Sequence, residues 1–101
     1  MYYVYVLYSR TEDEFYLGST IDLKKRLRQH RQGENKSTKK AQDWIVSYYE
    51  AYLTEQAAKG RESQLKRSGK AYHSLRQRIR ESIDNLGEGE ALDRSPGKRR
   101  P

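Results

Sequence analysis

Phe15-Tyr16-Leu17-Gly18-Ser19-Thr20-Ile21-Asp22-Leu23-Lys24-Lys25-Arg26-Leu27-Arg28-Gln29-His30 decides the fold, because here a strand ends, a corner turns and a helix begins. The aromatic run Phe15 to Leu17 has strand character and stops at a glycine. Asp22 is the predicted N-cap, since its carboxylate can accept the free amide protons of a first helical turn. From there Leu23, Arg26, Leu27 and His30 fall at i, i+3, i+4 and i+7, one face of a helix. Two of the four are apolar, so this face packs inward and takes a guanidinium and an imidazole with it. A desolvated charge without a partner is costly, and an arginine at the edge of an apolar stripe must find one for its fork of donors. Two partners stay open: a structural carboxylate, or a phosphate from outside.

Upstream, Tyr2 to Tyr8 is dense in aromatic and β-branched residues and reads as a strand. The polar stretch Ser9 to Glu14 then makes a hairpin turn into Phe15–Gly18. Downstream, the basic helix should end near Gly33, where a left-handed cap is easy. Gly33 to Lys40 reads as a polar, lysine-rich loop, mobile and on the surface. Trp44 to Tyr52 is the predicted third strand. Thr54 caps a second helix, on which Ala58, Glu62 and Leu65 share an inward face. Gly60 inside that helix implies a close approach of another backbone. After the Ser68-Gly69 interruption, Tyr72, Leu75, Ile79, Ile83 and Leu86 form a third helical stripe, a core rather than a cofactor site. Residues 1–86 therefore make one domain, and 87–101, without period or apolar content, read as a flexible tail.

The chain has 101 residues, enough for a single domain with a modest core. Charged residues (35%) match hydrophobic ones (34%), so the fold rests on strong patterning rather than apolar bulk. Formal net charge is +7, of which the tail holds +1 (four basic residues against three acidic), leaving +6 on the domain. Such a balance favours a polyanion, nucleic acid before membrane. The bland alternative is that these cations only solvate helix faces. Cysteine is absent and there are two histidines, which excludes disulfides, thiolate chemistry and histidine metal cages. Nine tyrosines accompany one phenylalanine, and most of them should be packing residues with a wet tip. With no signal peptide at the N-terminus, the default expectations are a cytoplasmic, monomeric protein with no membrane partner and no obligate small-molecule ligand.

Tyr3-Val4-Tyr5, Tyr16-Leu17-Gly18, Arg26, His30 and Glu62, in that order and spacing, resemble the GIY-YIG nuclease superfamily. The nearest type is the small standalone bacterial protein similar to the N-terminal nuclease domain of excinuclease C. The likeness runs from Met1 to about Arg80. It implies an α+β fold, a three-stranded antiparallel sheet (an N-terminal β-hairpin plus a third strand) flanked by three helices. It also implies cleavage of a DNA phosphodiester with one divalent metal ion, Mg²⁺ or Mn²⁺, and places DNA repair among the expected settings. By the resemblance Tyr5 ends the first motif, Tyr16 is the general base or nucleophile-activating hydroxyl, and Arg26 contacts the scissile phosphate. His30 matches a position held by histidine or tyrosine, and Glu62 matches the metal-binding glutamate. Two departures stand out: Ser19 replaces an excinuclease-like lysine, and no late asparagine follows Glu62, where Ser68-Gly69-Lys70 stands instead.

The chemistry agrees with these assignments. Hydrolysis builds negative charge on phosphoryl oxygens, which a fixed guanidinium offsets without reorganising. Mg²⁺ typically takes one or two carboxylates and fills its shell with water and phosphate oxygens, so a lone inward glutamate fits a one-metal site. A phenol with an unperturbed pKa of about 10 needs nearby cations, and Arg26, His30 and Lys24 or Lys25 are candidates. Lys24, Lys25, Arg28, Arg31 and Lys36 are the candidates for tracking a nucleic-acid backbone. Against these stand plainer readings: an internal Arg26–Glu62 ion pair, Tyr5 and Tyr16 as core tyrosines, His30 as a helix C-terminal cation. Three functions follow. The preferred one is a metal-dependent endonuclease; the alternative is a nucleic-acid-binding module of the same fold that cleaves weakly or not at all; a basic domain docking on acidic proteins is third.

Overall fold

The structure is a computed structural model, described here for residues 1–86; the predicted 87–101 tail lies outside the described residues. Its elements are β1 (Tyr2–Ser9), β2 (Glu14–Thr20), α1 (Leu23–Arg31), β3 (Ile45–Tyr52), α2 (Glu55–Arg67) and α3 (Gly69–Asp84). The strands form one antiparallel sheet in the order β2-β1-β3, so the N-terminal strand is central. This is the expected α+β architecture, with three strands and three helices.

Burial on both faces explains why β1 is apolar along its whole length. Val4 and Val6 point to one face, where they join Leu17 of β2, Ala58 and Leu65 of α2 and Ile79 of α3. Tyr5 and Leu7 point to the other, against Leu27 of α1, Ala41 and Trp44. Two thin clusters thus sandwich the sheet, α2 and α3 on one side and α1 with its following loop on the other. Each helix starts at a side-chain cap: Asp22, Thr54 and Ser68 accept the amides of Lys25, Ala57 and Ala71. Gly33 (φ 77°) turns the chain out of α1 in the left-handed region, as expected. Among the described residues no helix is long and apolar enough to cross a membrane.

Several expectations need correcting. The second strand runs on to Thr20, because pairing with β1 continues through Tyr3↔Thr20. Trp44 precedes β3 rather than opening it, and its indole donates to the Thr38 carbonyl (2.8 Å). The Gly33–Lys40 loop is consequently not all surface: Thr38 is fully buried and ties it to the core. Leu86 lies beyond the end of α3 and is 42% exposed, so the third stripe stops at Ile83. No backbone approaches Gly60; a Cβ there would meet nothing within 4 Å. The close approach occurs instead at Gly18, where a Cβ would sit 2.6 Å from the Tyr5 hydroxyl and 2.8 Å from its ring carbon Cζ.

The inward ion pair of α2 is also not the one expected. Glu50 of β3 accepts hydrogen bonds from Arg61 Nε (2.9 Å) and from the hydroxyls of Tyr48 and Tyr52. Burial alone would raise the Glu50 pKa, but Arg61 and the two phenols outweigh it and bring it down to about 2. A carboxylate whose pKa falls on folding contributes stability that is complete above its unfolded value and lost as pH drops through the folded one. At about 1.4 kcal/mol per pKa unit, Glu50 contributes on the order of 3 kcal/mol. Urea midpoints should therefore fall between pH 4.5 and 2 in the native protein, and Glu50→Gln should remove a large part of that fall.

The two glycines predict opposite outcomes in thermal denaturation. Gly60→Ala should stabilise the protein by up to ~1 kcal/mol, the propensity difference at an open helical site. Gly18→Ala should destabilise it by ~1–3 kcal/mol, the usual range for overpacking, because the Tyr5 ring must give way.

Candidate active site

Four elements carry the candidate side chains. Tyr5 from β1, Tyr16 from β2 and Arg26 and His30 from α1 belong to the α1 face of the sheet, whereas Glu62 comes from α2, which packs on the other face. Antiparallel pairing sets Tyr5 directly opposite Gly18, whose missing side chain makes room for the phenol. Tyr16, two residues earlier on β2, shares that face, and its ring lies 6.4 Å from that of Tyr5 and 4.8 Å from the His30 imidazole. The inward face of α1 behaves as its spacing predicted, with Leu27 and His30 buried.

A chain of hydrogen bonds runs through these rings. The Tyr5 hydroxyl lies 3.0 Å from His30 Nε2, and His30 Nδ1 lies 2.7 Å from the hydroxyl of Thr38. That hydroxyl also donates to the Asn35 carbonyl (3.5 Å), while the Asn35 side-chain amide donates to the Tyr16 hydroxyl (3.4 Å). The loop after α1 therefore touches both tyrosines, one directly and one through His30. Neither Thr38 nor Asn35 stood out as a site residue in the sequence; a threonine in a polar loop looks like any other until Trp44 is seen anchoring it.

Burial, with the Tyr16 charge second, raises the Tyr5 pKa; Arg26 opposes this and Glu62 adds to it. The Tyr5 hydroxyl thus lies within electrostatic reach of the other three groups at once. Burial, and after it the charge of Arg26, lowers the His30 pKa to about 4. His30 is accordingly a neutral ring near pH 7, not the helix C-terminal cation of the plainer reading, and it does not help a tyrosine lose its proton.

Arg26 is half-buried on the inward face of α1 and forms no hydrogen bond or ion pair among the described residues. With Tyr3, Ser19, Thr20 and Lys59 it lines a groove of about 390 Å³ between the sheet end and α2. The Arg26–Glu62 ion pair is not formed. Glu62, 17% exposed, instead accepts from Ser19 (2.6 Å) and pairs with Lys66 (2.8 Å), which is 55% exposed. Burial would raise the Glu62 pKa, but the Lys66 and Ser19 hydrogen bonds and the charges of Lys66 and Lys59 hold it below the ordinary glutamate value. The carboxylate is therefore ionised at neutral pH. Ser19, the departure from the excinuclease pattern, is the residue that orients it.

Of the backbone-tracking candidates, Lys24, Lys25, Arg28 and Lys36 are exposed. Arg31 is half-buried and its Nε donates to the Trp44 carbonyl (2.7 Å), so part of its fork ties α1 to the β3 approach. Among the described residues no three His, Asp or Glu side chains converge as a metal cluster. Glu62 offers one anionic oxygen donor set, and the hydroxyl on one oxygen with a solvated lysine on the other leaves it compatible with a hard cation that keeps its water.

Comparison with curated proteins and with solved structures returns no match. The profile of the GIY-YIG catalytic domain, however, matches residues 1–77, a span that holds every candidate side chain, both motif tyrosines and the whole sheet. With a match over most of its length and the corresponding nuclease-type fold, the chain belongs to the GIY-YIG catalytic-domain family.

Proposed function

We propose that this protein is a divalent-metal-dependent endonuclease that hydrolyses a DNA phosphodiester. The observation that carries the reading is Arg26: a guanidinium set into a groove wall by packing, its donors without a partner among the described residues, in a family whose substrate is DNA. A structural arginine would be expected to be paired, as Arg61 is on Glu50.

In this reading Arg26 binds the scissile phosphate and offsets the charge that grows on its oxygens. Glu62 holds the metal, Mg²⁺ or Mn²⁺, which when bound supplies Lewis-acid polarisation of the phosphate and an acidified water. Lys66 is the resting counter-ion of that carboxylate and, being largely solvated, can turn away. Tyr16 passes its hydroxyl proton to solvent and, as the phenolate, takes the proton of the attacking water to become a phenol again, while Tyr5 with His30 fixes its surroundings. Lys24, Lys25, Arg28 and Lys36 give sequence-independent affinity for the phosphate backbone, with the terminal nitrogens of Arg31 at the margin. The exposed ring of Tyr49, edge-on to Tyr3 (5.7 Å), adds an aromatic surface beside the groove.

A second reading, a binding module that cleaves weakly or not at all, is favoured by one feature. Both Glu62 oxygens already have partners, Ser19 and Lys66. Supercoiled plasmid incubated with the protein and Mg²⁺ or Mn²⁺ separates the two. The endonuclease gives metal-dependent nicking, abolished in Glu62→Ala and lowered by roughly 10²–10³ in Arg26→Ala, the range for losing one preorganised charge donor. Salt-sensitive DNA binding with no nicking at any metal concentration would leave the binding module.

A further inference from the structure

The two buried hydroxyls and the imidazole between them can share their protons in two ways, and only one leaves none stranded. Tyr5, His30 and Thr38 are all buried, Tyr5 being 2% exposed, so each proton needs a partner inside the protein. If His30 carries its proton on Nδ1, that proton goes to the Thr38 oxygen and the Thr38 proton goes to the Asn35 carbonyl. The Tyr5 proton then goes to the bare Nε2, and three donors meet three acceptors. If the ring carries its proton on Nε2, it donates to Tyr5, and the Tyr5 proton has no acceptor among the described residues. The Asn35 carbonyl loses its hydroxyl donor as well.

We infer that Thr38 is a positioning residue: its oxygen takes the Nδ1 proton of His30, which turns Nε2 toward Tyr5 as an acceptor and leaves Tyr5 offering only lone pairs to the candidate active site. Thr38 is itself held rigidly. Its carbonyl accepts from the Trp44 indole (2.8 Å) and the Ala41 amide (3.3 Å), and its amide donates to the Asn35 carbonyl (3.1 Å). The groups facing the imidazole are Arg26 on its own helix, Tyr5 on β1 and Tyr16 on β2, with Thr38 from the loop; none is a carboxylate that would protonate it. The consequence is a division of labour between two adjacent phenols. Tyr5 keeps its proton on His30 and has only lone pairs left to offer. Tyr16, whose oxygen accepts from Asn35 and whose proton has no acceptor among the described residues, is the one able to exchange it.

This last step rests on the endonuclease reading; the tautomer does not, which keeps the two separable. Two-bond ¹H–¹⁵N correlation spectra of the full ¹⁵N-labelled chain near neutral pH report which ring nitrogen is protonated. The exposed His73 is removed from the spectrum by His73→Gln. We expect wild-type His30 protonated on Nδ1, Thr38→Val shifted to the Nε2-protonated ring, and Thr38→Ser like wild type. In the plasmid assay Thr38→Val should nick on the order of tenfold to a hundredfold more slowly, the scale of a misplaced catalytic group, with DNA binding unchanged, and Thr38→Ser should restore the rate. A wild-type ring protonated on Nε2 overturns the inference and needs no variant to fold. So does a Thr38→Val protein whose tautomer moves while its nicking rate does not. A wild-type protein that never nicks yet shows the Nδ1-protonated ring, altered by Thr38→Val, upholds the hold of Thr38 on His30 and ends the endonuclease reading.

Discussion

A buried phenol must hydrogen-bond, and this protein builds its core from phenols. With few large apolar residues available, the central strand fills both its faces using tyrosine alongside valine and leucine. Valine asks nothing further of its surroundings, whereas each buried tyrosine hydroxyl must be matched or it costs roughly 1–3 kcal/mol. Tyr5 therefore calls for His30, His30 for Thr38, and Thr38 for an ordered loop pinned by Trp44. The candidate active site grows out of that chain of requirements. The same packing need also explains Gly18: a phenol laid flat across the neighbouring strand leaves no room for a Cβ.

Two sets of opposite charge flank the sheet, and they are built differently. Glu50 and Arg61 are closed on each other, with two tyrosine hydroxyls completing the carboxylate's shell, and together they fasten α2 to β3. Arg26 and Glu62 are not joined. Glu62 is turned by Ser19 and screened by a solvated lysine, and Arg26 lines the groove with no partner among the described residues. Pairing them would be cheap for folding and would cancel the electrostatic character of the groove. Keeping them apart leaves the guanidinium without a carboxylate partner among the described residues, while the Glu62 carboxylate takes Ser19 and Lys66 instead.

Periodicity alone carried most of the architecture. The Leu23–His30 spacing, the caps Asp22 and Thr54 and the apolar run of the first strand depend on residues within a few positions of one another, and all appear where the pattern put them. Ser68, which reads only as an interruption, proves to be the third cap. What escaped depends on pairs far apart in the chain. Glu50 meets Arg61 only once β3 is paired to β1 and α2 is laid across that face, and the Ser19–Glu62 bond spans 43 positions. The Gly60 expectation failed because a helical glycine reports a close approach only when something lies opposite, and nothing does. Thr38 escaped for another reason: loop composition predicts polarity but not which polar residue is buried, and only the Trp44 anchor decides that.

The neutrality of His30 should survive substrate binding. Arg26 is one of two causes that depress the imidazole, and a phosphate placed on the guanidinium would cancel most of its field. Burial, the larger cause, does not change when a ligand enters the groove that Arg26 lines, since His30 is not among the residues lining it. A ring that became cationic would carry protons on both nitrogens and could no longer accept from Tyr5, so the phenol would be released at the moment its orientation matters. A histidine enclosed by two aromatic rings and an ordered loop avoids this, because its protonation state is set by the fold rather than by what occupies the groove. The loop that encloses the imidazole therefore sets its protonation state as much as the helix that bears it.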